Sequence, residues 1–269
     1  MAIRTDNMAN LSGRTALVTG GNSGIGLAIA RRLASDGARI VINGIVPEDE
    51  GALVCEDIAT LSGVDAHYVR ADLRDPAQIE ALIRRADAFD GGLSVLVNNA
   101  GMQHTSTIED FPVDVWNDMV AVNLSASFHT MRLALPAMRR RGWGRIVNVA
   151  SISGLRGRAG KTAYNATKHG LIGLTKAVAL ETATTAITCN AICPGWAQTP
   201  LVQKQVEALA AREQIDIDAA THKLISLRQP SGRFVQTEHL AAMVSFLCSD
   251  EAQEVRGAAW TMDGGTTAL

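Results

Sequence analysis

Apolar positions along this chain follow two rhythms in turn. Short apolar runs alternate with longer stretches whose apolar residues recur every three to four positions, the signature of strands followed by helices. The runs at 14–19 (RTALVT), ARIVIN ending at Asn43 and Gly44, 65–69 (DAHYV), LSVLV before Asn98, RIVNVA before Ser151, AITCNAI before Cys193 and a last run within GAAWTMDGG predict strands. The glycine-rich turn near residue 20 leads into a first predicted helix, and 48–61, 76–90, 112–141, 162–184 and 236–248 predict others. The alternation predicts a single α/β domain over residues 1–269, built on a parallel sheet. Residues 196–230 depart from the rhythm. Polar and helix-prone, they read as a mobile lid at the carboxyl edge of the sheet. Residues 1–10 read as a flexible lead, within which Met8 offers a second potential start.

Composition narrows the function classes. With 269 residues and 47% hydrophobic content, the chain can bury a sizeable core. A formal net charge of −2 with no basic run argues against a nucleic-acid partner. The sequence lacks an apolar run of about 18 residues and an apolar leader, so no membrane association and a cytoplasmic location are expected. Cys55, Cys189, Cys193 and Cys248 form no CxxC pair. Cys189 and Cys193 lack further ligands nearby, so buried thiols rather than a metal site are expected.

The candidate chemistry begins in GGNSGIG. Gly20, Gly24 and Gly26 permit a tight turn, a close approach to a pyrophosphate and helix–sheet packing, with Asn22, Ser23 and Ile25 between them. After the second strand an acidic residue would mark NAD and an arginine NADP, but Gly44, Ile45 and Ser23 supply neither. A 2′-phosphate needs a counter-charge, so the lack of a cation favours NAD. Asp72, followed by Leu73, can bind an adenine amino group or cap the helix beginning near Pro76. Asn98, Asn99, Ala100 and Gly101 leave room for a flat ligand and offer amides, or form a plain turn. Asn123, mid-helix, is either a buried, satisfied amide or the mark of a local distortion. Tyr164 and Lys168 stand one helical turn apart, where an ammonium favours the phenolate, and Ser151 can bring a hydroxyl to the same point.

TGGNSGIG at 19–26, NNAG at 98–101, Asn123, Ser151, YxxxK at 164–168 and PG at 194–195 together resemble the short-chain dehydrogenase/reductase superfamily from Leu11 to Gly265. The resemblance implies a Rossmann-type, doubly wound sheet of seven parallel strands in a homotetramer. It implies Tyr164 as acid/base, Lys168 lowering the tyrosine pKa and holding the nicotinamide ribose, Ser151 polarising the substrate oxygen, and Asn123 anchoring a water. The nucleotide contacts it implies are Gly20, Asn22, Ser23, Gly24, Ile25, Gly26, Asn43, Asp72, Leu73, Asn99, Ala100, Gly101, Tyr164, Lys168, Pro194, Gly195 and Thr199. More narrowly, AGMQHTSTIEDFP, AYNATKHG, ICPGWAQTPLVQKQ and LRQPSGRFV are similar to bacterial D-3-hydroxybutyrate dehydrogenases. That similarity implies a small hydroxy acid held by Gln103, Lys161 and Gln205, with Ser151, Ser153, Tyr164 and Trp196 lining the site, and conversion of (R)-3-hydroxybutyrate to acetoacetate with NAD. Ser153 stands where the family usually has histidine, and Arg156 and Arg158 enter the loop after it, so a different or larger hydroxy acid is also open. Rival readings are a reductase of a neutral ketone, sugar alcohol or 3-oxoacyl thioester, and a dinucleotide-binding regulator without catalysis.

Overall fold

The structure is a computed structural model and describes residues 9–89, 91–226 and 228–268. Seven strands form one parallel sheet: β1 Thr15–Thr19, β2 Arg39–Gly44, β3 Ala66–Arg70, β4 Leu93–Asn98, β5 Gly144–Val149, β6 Ile187–Pro194 and β7 Ala259–Met262. Their order is β3-β2-β1-β4-β5-β6-β7. Chain direction across the sheet reverses between β1 and β4, and a crevice opens at the carboxyl ends of the strands at such a switch point. β1, β4, β5 and β6 are buried along their length, which explains their unbroken apolar runs.

Helices cover both faces. α1 Gly24–Ser35, α2 Glu48–Ser62 and α9 Thr237–Cys248 lie on one side, and Ile29, Leu33, Leu240 and Val244 pack there against Ile40, Ile42 and Val95. On the other side lie α3 Pro76–Asp87, α4 Val113–Val120, α5 Ala126–Arg141 and α6 Thr162–Glu181. Ile79, Leu82, Met131 and Met138 pack there with Leu17, Leu96 and Ile146. The helix expected over 112–141 is interrupted by a π-helical turn, Ala121–Ser125, and then runs through exposed Pro136 to Arg141. Gly142, left-handed at φ 69°, ends it.

Three expectations need adjustment. The flexible lead falls largely outside the described residues, but Ala9 belongs to the core and is buried. The helix starting at Pro76 is capped by Asp75, whose carboxylate accepts from the Ala77 N–H at 2.9 Å, so Asp72 is not the cap. Within 196–230, α7 Pro200–Glu213 and α8 Ile217–Ser226 form a helical pair with a small core of their own, in which Val206, Leu209 and Ala220 meet Phe234. All four cysteines are buried and free, and no metal-binding cluster occurs among the described residues.

Candidate active site

The turn after β1 is shaped by close approaches. Gly20 and Gly24 hold positive φ angles, 60° and 54°. A Cβ at Gly26 would lie 2.2 Å from the Gly20 carbonyl oxygen and 2.4 Å from Asn99 Nδ2, so only glycine lets α1 dock on this turn. Asn99 Nδ2 donates to the carbonyls of Thr19 (2.9 Å) and Gly20 (3.1 Å), while Thr19 Oγ1 accepts from the N–H groups of Asn99 and Ala100. These bonds stitch the ends of β1 and β4 together. Ser23 precedes α1 without a side-chain capping bond, so the first amides of the helix face the turn. Thr199, capping α7, stands beside Gly24, where an added Cβ would meet its Cγ2 at 3.5 Å. A glycine cradle under open helix amides, closed over by a threonine, fits a dinucleotide pyrophosphate.

At the ribose end, a Cβ on Gly44 would lie 2.7 Å from Asn22 Oδ1 and 3.2 Å from Tyr68 Oη. A side chain there would have to displace the Asn22 amide. Burial raises the Tyr68 pKa; of the charges near this phenol, Arg70, which pairs with Gly44 across β2 and β3, opposes the rise, and Glu48 and Glu50 add to it. The local charge is mixed rather than cationic.

Ser151 leaves β5 and begins a short 3₁₀ turn, where its Oγ accepts from the Ser153 N–H at 3.1 Å. α6 passes beside it because Gly154 has no side chain: a Cβ there would sit 2.7 Å from both Ile172 Cδ1 and the Lys168 carbonyl. Tyr164 and Lys168 both line the cleft below. Burial raises the Tyr164 pKa, and a hydrogen bond with Ser151 opposes the rise. Lys168 Nζ lies 5.6 Å from the Tyr164 ring centroid and donates to the Val149 carbonyl at 2.8 Å. Its burial lowers its pKa to about 8. Both readings of Asn123 hold together: it is buried within the π turn, and its amide is fully engaged. Oδ1 accepts from the Met102 N–H (2.8 Å), and Nδ2 donates to the Met102 carbonyl (2.9 Å) and Thr167 Oγ1 (3.4 Å).

On the substrate side, Lys161 Nζ donates to Gln103 Oε1 at 3.2 Å, joining the loop after β4 to the start of α6. Ser153, Trp196 and Gln205 line the same cleft of about 790 Å³.

A family model described as short chain dehydrogenase matches residues 14–210. The chain belongs to the short-chain dehydrogenase family. Its relatives include a D-beta-hydroxybutyrate dehydrogenase of Cupriavidus necator, 52% identical over 96% of this chain and 99% of that one. Another of the same name from Rhizobium meliloti is 46% identical over 95% and 99%. Among solved structures, the L-sorbose reductase of Gluconobacter frateurii complexed with NADPH and L-sorbose superposes with a TM-score of 0.93 at 32% identity, covering 98% of this chain and 99% of that one.

Several residues of this short-chain dehydrogenase reach the site differently from what its sequence suggests. Asn98 is buried and bonds with Asn148 and Thr130, and the Asn99 amide is engaged by backbone, so neither offers the free amide expected for a flat ligand. Asn43 Nδ2 bonds the carbonyls of Val69 and Ala71, and Leu73 packs in the core, leaving only their backbones near the crevice. The Asp72 carboxylate is held by Arg74, at 3.0 Å from its Nε, and this lowers its pKa. Three residues lie in segments that carry the family resemblance but received no role from it. Thr19 joins the two loops, His104 lines the cleft, and Arg228 reaches the cleft from beyond α8.

Proposed function

We propose that this short-chain dehydrogenase oxidises (R)-3-hydroxybutyrate to acetoacetate with NAD. The observation that carries the reading is the Lys161–Gln103 contact, which holds a cation and an amide in the cleft that Ser151, Tyr164 and Lys168 also line. A carboxylate held there, with Gln205 across the cleft, would bring its β-carbinol toward the tyrosine. The names of the two relatives from Cupriavidus necator and Rhizobium meliloti support the same substrate.

Gly20, Asn22, Ser23, Gly24, Ile25 and Gly26 would hold the pyrophosphate, with Thr199 over it. Asn43, Asp72 and Leu73 would border the adenosine, and Asn99, Ala100, Gly101, Pro194 and Gly195 the nicotinamide end. The bound dinucleotide supplies the two-electron acceptor for carbon 3 of the substrate. Ser151 holds the carbinol oxygen and Tyr164 takes its proton. The Lys168 charge favours the phenolate and its ammonium holds the ribose, while Asn123 fixes the loop at Met102 through its side chain and anchors, through a backbone carbonyl freed by the π turn, a water leading to Lys168. NAD rather than NADP is favoured by Glu48 and Glu50 near the ribose end, against the single Arg70. Exposed Trp116, Phe128 and Leu180 on α4, α5 and α6 favour a homotetramer closed through those helices. No helix among the described residues is long and apolar enough to cross a membrane, and we assign the enzyme to the cytoplasm.

Nicotinamide absorbance, followed with NAD and NADP against both enantiomers of 3-hydroxybutyrate, tests the proposal. NAD with the (R) acid is expected to be preferred over every other combination by about tenfold or more in kcat/KM, a difference of ~1.4 kcal/mol. Turnover of neutral ketones or 3-oxoacyl thioesters, with neither acid oxidised, would contradict it.

A further inference from the structure

The cleft carries more positive charge than one carboxylate and a tyrosine mechanism require. Arg156, Arg158, Lys161 and Arg228 all line it, Lys168 apart, and no Asp or Glu does. Arg156 is tied down, since its Nη1 donates to the Thr266 carbonyl at 2.9 Å. Arg158 and Arg228 are arranged differently. Both guanidinium groups lie against the Trp196 ring, with Cζ atoms 5.5 Å and 4.1 Å from its centroid. Trp196 is itself fixed, because its N–H donates to Gln229 Oε1 at 2.9 Å and its carbonyl accepts from the Val235 N–H at 2.8 Å. An indole on a backbone pinned at both its N–H and its carbonyl therefore carries two arginines into the cleft.

Neither arginine has a carboxylate partner among the described residues. Arg228 Nη1 is buried with no hydrogen-bond partner at all, an arrangement that costs stability unless a ligand supplies the acceptor. Burial lowers the pKa of both Lys161 and Arg228, and the Arg158 charge lowers each further, so the three cations share one field. A single carboxylate answers one of three neighbouring positive charges and leaves two opposed.

We infer that Arg228 and Arg158, mounted on Trp196, form a second anion subsite beside Lys161, through which the enzyme also takes 3-hydroxy acids bearing a second carboxylate. The inference rests on the 3-hydroxy-acid reading of the same cleft. The chemistry is unchanged: carbon 3 loses its hydrogen with two electrons to NAD, the hydroxyl proton passes to Tyr164, and the product is the 3-oxo dicarboxylate.

The test compares kcat/KM for (R)-3-hydroxybutyrate, 3-hydroxyglutarate, 3-hydroxyadipate and the monomethyl esters of the two diacids. At least one diacid is expected to exceed its own monoester by about tenfold or more, the contribution of one charge-assisted hydrogen bond. Arg228→Met should bring that ratio down toward one, and Arg228→Lys should restore part of it. Arg158→Ala, at an exposed loop position, provides a second reading should the Arg228 variants fail to fold. Two results would overturn the subsite: diacids no better than their monoesters, or an Arg228→Met variant that loses the monoacid as severely as the diacid. The second would place Arg228 on the single carboxylate. If no hydroxy acid of any kind is oxidised, the substrate-class proposal fails first, which separates the two failures.

Discussion

At Tyr164, burial works against the proposed proton transfer, and the hydrogen bond with Ser151 works for it. A phenol whose pKa is raised keeps its proton at neutral pH, yet oxidation of an alcohol needs the phenolate. The phenolate fraction grows with pH, so kcat/KM for oxidation should rise through the alkaline range while reduction, which needs the phenol, falls. Lys168, lowered by burial to about 8, loses its proton below that range, so its titration is a separate, lower step in the profile. Tyr164→Phe should lower turnover by about 10²- to 10⁴-fold and abolish the alkaline rise, with NAD binding by fluorescence titration nearly intact. A flat profile, or a variant keeping most of its activity, would remove Tyr164 from the mechanism. Tyr164, Lys168 and the glycines were legible because their chemistry sits within one turn of chain. The Lys161–Gln103 contact joins residues 58 positions apart, and its geometry exists only in the fold. Arg228 received no role although its segment, LRQPSGRFV, was singled out, since an arginine in a polar stretch reads as solvated.

Among the elements, strands and helices were legible where their rhythm was strong, and their ends were less so. The last strand, predicted within GAAWTMDGG, is confined to Ala259–Met262, with Gly257, Gly264 and Gly265 at positive φ around it. The π turn at Ala121–Ser125 left only a hint in the sequence, a mid-helix asparagine, because its bonds are made to Met102 and Thr167 from other elements. The β1–α1 turn offers the sharpest test at this scale. Gly26→Ala places a methyl group 2.2 Å from the Gly20 oxygen, and the shift this forces should raise the NAD dissociation constant about tenfold or more. Isothermal titration checks this, with circular dichroism confirming the fold. Unchanged affinity would mean that the cradle does not hold the pyrophosphate.

Across the whole molecule, the parallel sheet sets where chemistry can occur. Its strand order reverses between β1 and β4, and the glycine turn, the NNAG loop, Ser151 and Pro194-Gly195 all emerge at the carboxyl ends beside that reversal. The seven parallel strands expected from the family resemblance are observed. Charge, in contrast, is distributed in a way composition conceals: a net charge of −2 overall coexists with a cleft lined by cations and no acids. Substrate choice is therefore a property of the assembled cleft. The most direct measurement compares kcat/KM for (R)-3-hydroxybutyrate with that for its methyl ester, with NAD, in the native enzyme and in Lys161→Met. A free carboxylate held by Lys161 predicts an acid-to-ester preference of about 10- to 100-fold that largely disappears in the variant. Equal use of acid and ester by the native enzyme, or a preference untouched by Lys161→Met, would contradict it.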